Sequence, residues 1–196
     1  MSGRRESRIA PSRRQANAAS TARTCSLKGR QMAVADDITK VAEQERVLVF
    51  ARFDEATAFA IGTAIKGLAE AKGASLVIDI RTWDRPLFYF AMAGTAPDNF
   101  EWVRRKSNCV RRFSRASYAM TLRQKQRGSG FAADDAVDPM EIAAHGGSFP
   151  IRIAGAGSIG TITVSGVPGR DDHGFVVAAI AAHLGLDGAA LALGAE

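Results

Sequence analysis

The chain has 196 residues, with 26 Lys+Arg against 20 Asp+Glu, 46% hydrophobic residues, 7% aromatic residues and two cysteines. That length suits one domain of roughly 100–200 residues, and no window approaches the ~18 uninterrupted apolar residues of a spanning helix. The hydrophobic fraction excludes a wholly disordered chain, and two cysteines exclude a disulfide-stapled miniprotein. The net charge of +6 invites a nucleic-acid partner, but its distribution argues otherwise. Residues 1–35 hold eight basic side chains and one acidic, leaving 18 basic and 19 acidic for residues 36–196. The basicity belongs to the N-terminal segment, so neither a nucleic-acid nor a membrane partner is expected.

Residues 1–35 are rich in Ser, Ala, Arg, Thr and Gln and lack apolar periodicity, so a disordered extension is expected there. It has no apolar h-region of a secretory signal. Two readings of it stay open: an organelle transit peptide, or translation that begins at Met32, which the nearby onset of regular patterning favours. From Asp36 to residue 186 the pattern is that of one folded domain, followed by a small-residue tail over 187–196.

In chain order, Asp36 and Asp37 can cap a short helix through Gln44. Val47–Phe50 is a short β-prone run. Asp54 caps a helix through Ala71, in which Phe59, Ala60, Thr63, Ala64, Gly67, Leu68 and Ala71 form one stripe at 3/4 spacing, and Gly73 stops it. Residues 75–80 and 86–92 read as two strands joined by a short turn. Asp98 or Asn99 caps a long helix to about Ala116, and a second helical run reaches Arg127. Residues 128–139 form a polar loop. Strands over 149–154 and 159–164 flank a glycine-rich turn, and a last helix runs from Asp171 to His183 or Leu184. Hairpins outnumber β-α-β crossovers, so an α+β fold with a mainly antiparallel sheet of about five strands follows.

Gly155–Gly160 matches G-x-G-x-x-G literally, but a dinucleotide site needs a helix next, with its amides on the pyrophosphate. Thr161-Ile162-Thr163-Val164 favours a strand instead, so the motif reads as a hairpin turn. Serine catalysis has little support, because Ala156 occupies the first glycine position of a G-x-S-x-G around Ser158. No H-x-x-x-H, C-x-x-C or paired-carboxylate spacing supports a dedicated metal site. A single cysteine in the folded part, Cys109, fits a reducing, cytoplasmic setting.

The segment 100–116 is more informative. At 100° per residue Arg104, Arg105, Arg111, Arg112 and Arg115 share one arc, and Trp102, Val103, Cys109, Val110, Phe113 and Ala116 the opposite one. That pattern describes a helix packed on a sheet with a solvated basic back; alternatively, the arginines serve anionic groups. Lys106 breaks it, falling inside the apolar arc, where it either snorkels or turns its ammonium into a pocket. His183 suits a helix C-terminus. His173, in the first turn of the last helix, is expected to stay neutral, the form that ligates iron or accepts a proton. His145 precedes Gly146-Gly147, which permit close backbone approach.

The runs Asp98–Asn108, His145-Gly146-Gly147-Ser148-Phe149-Pro150-Ile151, the hairpin ending Val164-Ser165-Gly166-Val167-Pro168, and Asp171-Asp172-His173 together resemble one family. It is a UPF-type branch of the haem-degrading-domain superfamily of HbpS-like and GlcG-like proteins, and the resemblance covers nearly all of residues 37–186. It implies a profilin-like antiparallel sheet of about five strands flanked by helices, and assembly into homo-oligomers. Some superfamily members bind haem or release its iron, so haem is the cofactor the resemblance suggests. The residues that recur are Asp98, Asn99, Trp102, Arg105, Lys106, Asn108, His145, Asp172 and His173. The expected function is a cytoplasmic small-ligand-binding protein, its site formed by Asn99, Trp102, Arg105, Lys106, Asn108, His145 and His173 around an anionic ligand. Two other functions stay open: a non-catalytic homo-oligomeric or partner-binding protein, and an enzyme on a small anionic metabolite with Lys106 and His145 as acid or base.

Overall fold

A computed structural model describes residues 32–194 of the chain. The expectations for residues 1–31, disorder and alternative starts, lie outside the described residues.

Helix α1 runs through residues 32–47, and α2 through Glu55–Ala71, capped by the Asp54 carboxylate on the Thr57 N–H at 2.8 Å. Strands β1 (Val77–Thr82) and β2 (Pro86–Ala91) form a hairpin. Helix α3 (Pro97–Phe113) and helix α4 (Ser117–Arg127) lead through a loop with a 3₁₀ turn at Ala133–Asp135 to a second hairpin, β3 (Ser148–Ile153) and β4 (Gly157–Ser165). Helices α5 (Gly169–His183) and α6 (Gly188–Leu191) complete the chain. The described sheet is four-stranded and wholly antiparallel, in the order β2-β1-β4-β3.

The α+β class is as expected, but the fifth strand is not among the described residues. Val47 is still helical and the Leu48 N–H bonds the Gln44 carbonyl at 2.9 Å, so the β-prone run begins inside α1 and leaves no strand. Phe50 keeps only a single parallel bridge to Ile153. Other boundaries move too. Residues 32–35 belong to α1 and residues 188–191 form α6, whose Leu191 is buried. Helix α3 ends at Phe113 because Ser114 turns left-handed at φ 50°, and Glu45 fixes the next turn by accepting from Arg115 Nε and the Ala116 amide, each at 2.6 Å.

The strand period of two separates the faces of the sheet. Ile78, Ile80, Ile162, Val164, Phe149 and Ile151 point into the main core with Ile61 and Ile65 of α2 and Val176 and Ile180 of α5. The opposite face is covered by α3 and is polar. Thr163 joins the hydroxyls of Ser107 (2.9 Å) and Ser148 (2.7 Å), while Asp79 accepts from Arg81 Nε and Nη2, each at 2.6 Å. Burying hydroxyls and a carboxylate is tolerable because each finds a partner. The glycine turn between β3 and β4 has Gly155 and Gly157 at φ 78° and 80°, the hairpin expected in place of a nucleotide loop.

Candidate functional site

Helix α3 lies on the sheet through Val103, Lys106, Ser107 and Val110, a buried stripe at 3/4 spacing. Lys106 is therefore a sheet-facing residue and is 3% exposed. Its ammonium donates to Asp172 Oδ2 at 2.6 Å and to the Val164 carbonyl at 3.1 Å. An ammonium has three hydrogens, so one is left without an acceptor among the described residues. Burial lowers the lysine's pKa and Asp172 opposes this; burial likewise raises that of Asp172, opposed by Lys106 and the Val167 and Gly166 amides. Desolvation is the larger influence on both partners.

Asp172 reaches this pair because α5 begins just beyond β4. The Val167 N–H donates to its Oδ1 at 3.2 Å, which ties the β4–α5 connection to the carboxylate. The 145–148 loop presses on the same spot. A Cβ on Gly147, at φ 118°, would meet the Val164 carbonyl oxygen at 2.6 Å and Lys106 Nζ at 2.9 Å. One on Gly146 would meet the Gly169 carbonyl oxygen at 2.0 Å. The two glycines thus serve close packing of the chain on itself, against the first turn of α5 and the lysine.

Above the pair opens a cleft of about 250 Å³, lined by Asn99, Trp102 and Lys106 of α3, His145, Ser165–Val167, Gly169 and Asp172. Trp102 is oriented by its Nε1 donating to Asp98 Oδ2 at 2.9 Å, and its ring meets His145 edge-on at 4.8 Å. The Arg105 guanidinium stacks on the same indole at 4.8 Å. Asn99 accepts the Ala96 N–H at 2.8 Å, which closes the first turn of α3. His145 stands exposed at the rim. Partial burial of its ring lowers its pKa, with Lys106 and Arg105 acting in the same sense, so its imidazole is neutral at pH 7.

Four of the seven expected residues, Asn99, Trp102, Lys106 and His145, thus line one cleft. Arg105 and Asn108 lie beside it and fasten the loop that carries His145, donating to the carbonyls of Pro139 (2.6 Å) and Glu141 (3.0 Å). His173 is elsewhere, fully buried between Tyr118 and Phe149. Gln44 donates through Nε2 to the Leu191 carbonyl at 2.7 Å, so its Oε1 accepts from His173 Nε2 at 2.8 Å. That assigns the Nε2–H tautomer and leaves Nδ1 without a partner. Burial pushes its pKa down to about 3. Asp172, which appears in the sequence only as part of a recurring run, is the residue that completes the cleft floor. No periodicity could have paired it with a lysine 66 positions earlier.

The cleft thus lies between the sheet-covering α3 and the start of α5. The family model for "Haem degrading protein HbpS-like" matches residues 53–181, and the chain belongs to this HbpS-like family. Among relatives, it is 50% identical over 165 residues to UPF0303 protein mlr5144 of Mesorhizobium japonicum, covering 84% of this chain and 99% of that one. Among solved structures, the Ybr137w protein superposes with a TM-score of 0.66 at 25% identity, over 74% of this chain and 86% of that one. The PduOC–haem complex superposes at 0.56 and 18% identity, over 68% and 95%, and shows a shared fold.

Proposed function

We propose that this chain is a small-ligand-binding protein of the HbpS-like family whose cleft over Lys106 and Asp172 takes an anionic ligand, with haem the leading candidate. The observation that carries this reading is the buried ammonium on the cleft floor with one hydrogen unpaired. An acceptor oxygen of a ligand would complete it, and a charge-assisted bond of this kind is about twice as strong as a neutral one. The amino end of α5 and Arg105 add positive potential nearby.

His145 is the residue that would hold haem iron: it is exposed at the rim, its pKa is lowered by burial and by Lys106 and Arg105, and its ring rests against Trp102. His173 does not fit, because its ring is enclosed in the core. Ligand pockets usually measure about 300–1,000 Å³. A cleft of about 250 Å³ would therefore hold the carboxylate-bearing edge of a macrocycle and leave the rest outside. Bound there, haem would supply an iron centre. The chain's own part is to hold a carboxylate at Lys106 and present the His145 imidazole.

Titration of the purified full chain with haem, followed in the Soret region, tests this. The expected result is a saturable Soret shift that is lost in His145→Ala and kept in His173→Gln. No shift, or one that His145→Ala leaves intact, overturns the haem assignment. Homo-oligomeric assembly and a cytoplasmic location complete the proposal. The buried free thiol of Cys109 suits a reducing compartment, and no described helix is long and apolar enough to cross a membrane.

A further inference from the structure

The hydroxyl layer under α3 is closed pair by pair along β4 until it reaches the cleft. Thr163 joins Ser107 and Ser148, and Thr161 donates to Ser107 at 3.4 Å. Two residues further on, the strand period places Ser165 on the same face. Ser165 is 4% exposed and lines the cleft, yet its hydroxyl has no hydrogen-bond partner among the described residues. A hydroxyl so enclosed costs stability until something bonds it, and the cleft is where a partner can reach it.

Ser165 follows Val164, whose carbonyl accepts from Lys106 Nζ, so the serine hydroxyl and the unpaired ammonium hydrogen border the same cleft. Asn99 adds a third donor to this lining. Its Oδ1 is occupied by the Ala96 N–H, which leaves Nδ2 without a partner among the described residues. Side-chain acceptors are scarcer. Asp172 spends Oδ2 on Lys106 and Oδ1 on the Val167 N–H, and the His145 imidazole keeps one acceptor nitrogen at the rim. Such an excess of donors suits a ligand group with two acceptor oxygens.

The charges on and beside the cleft set how negative that group is. Lys106 and Asp172 cancel. Asp98, which holds Trp102 Nε1, offsets Arg105, which stacks on the same indole. Arg105 also donates to the Pro139 carbonyl and is not part of the lining, so the cleft lacks the guanidinium fork that recognises phosphate. It offers hydrogen bonds with little net positive charge, which favours a monoanion over a dianion.

We infer that Ser165 and Lys106 form a two-point seat for one carboxylate group, each bonding one of its oxygens, and that the cleft selects a carboxylate over a phosphate. This deepens the proposed function and rests on it. Beside the seat, Trp102, His145 and Val167 supply a wall for a planar body. At about 250 Å³ the cleft falls below the roughly 300–1,000 Å³ of pockets for drug-sized ligands, so a free acid that fills it has a single ring. The carboxylate-bearing edge of haem offers the same chemistry on a larger body.

The two sources are separated by titrating the full chain with benzoate, phenylphosphonate and benzamide in a calorimeter, and with haem in the Soret region. Benzoate is expected to bind saturably, and the dianionic phosphonate and the uncharged amide about tenfold more weakly or worse. Ser165→Ala keeps Cβ and removes only the hydroxyl. It should weaken benzoate by about 10- to 100-fold, the loss of one hydrogen bond to a charged group, and leave the urea midpoint unchanged. If haem alone binds, its affinity should fall by the same factor in Ser165→Ala, which assigns the seat to a haem carboxylate. Wild-type affinity in Ser165→Ala, for whichever of benzoate and haem binds, overturns the seat and leaves the proposed function standing. So does phenylphosphonate or benzamide bound as tightly as benzoate. No binding of any probe overturns both.

Discussion

Lys106 is a charged residue placed where a helix should be apolar, and the structure explains how the fold tolerates it. Its ammonium and the Asp172 carboxylate are buried together at 2.6 Å, and the Val164 carbonyl and Val167 amide take up further bonding capacity. Removing one partner strands the other. Lys106→Met should cost about 3–5 kcal/mol in urea unfolding, whereas Lys106→Met with Asp172→Leu should recover most of that loss. Equal losses in the single and double variants would contradict the coupling. His173 makes a second prediction, through its pKa of about 3 against 6.5 for a free histidine. The unfolded chain binds a proton that the folded chain refuses, so this contribution is complete above pH 6.5 and lost as the pH falls toward 3. At pH 4.5 the loss should be about 2–3 kcal/mol relative to pH 7, and His173→Gln should flatten that part of the pH profile. The misfit of Lys106 was legible in the sequence, because helical periodicity marks a lysine inside an apolar arc. Its partner was not, because ion pairing between distant segments follows from topology and leaves no local pattern.

At the scale of elements, periodicity served where a segment is amphipathic and failed where tertiary contacts decide. The bounds and Asp54 cap of α2 and both hairpins follow from capping and turn residues, but the stripe expected from Phe59 to Ala71 is the outer side of α2, and the side packed in the core is Thr57, Ala58, Ile61, Gly62, Ile65 and Ala69. Val47–Phe50 has strand propensity, yet α1 continues through Val47, and packing of Leu48 and Phe50 into the main core leaves room for one bridge only. Propensity is a weak prior against such burial. The end of α3 was misplaced for a similar reason. Glu45, from α1, captures Arg115 and the Ala116 amide, a contact no local sequence shows. The C-terminal segment, with its small residues, is held by long-range bonds. Lys40 and Gln44 of α1 donate to the Ala190 and Leu191 carbonyls, and Arg170 to that of Gly194. Leu191→Ala should therefore destabilise the whole chain by about 2–3 kcal/mol, measured as a lower urea midpoint with an unchanged slope. A midpoint equal to that of the wild type would mean that α6 is not part of the cooperative unit.

For the molecule as a whole, the net charge of +6 says little about partners, because residues 36–196 are nearly neutral. What organises this chain is the asymmetry of the sheet. One face builds the apolar core with α2 and α5, and the other carries a hydroxyl and carboxylate layer under α3, with the cleft at its end. The family was legible from four short runs, and they surround this cleft: the first turns of α3, the His145 loop, the end of β4 and the start of α5. On the proposed function, the cleft binds a small anionic molecule. Native mass spectrometry of the full chain, purified without denaturation, tests it most directly. The expected result is a reproducible small-molecule adduct, released as an anion, that a folded Trp102→Ala/His145→Ala variant no longer carries. A wild-type chain without an adduct, or a variant that retains the same one, would contradict it.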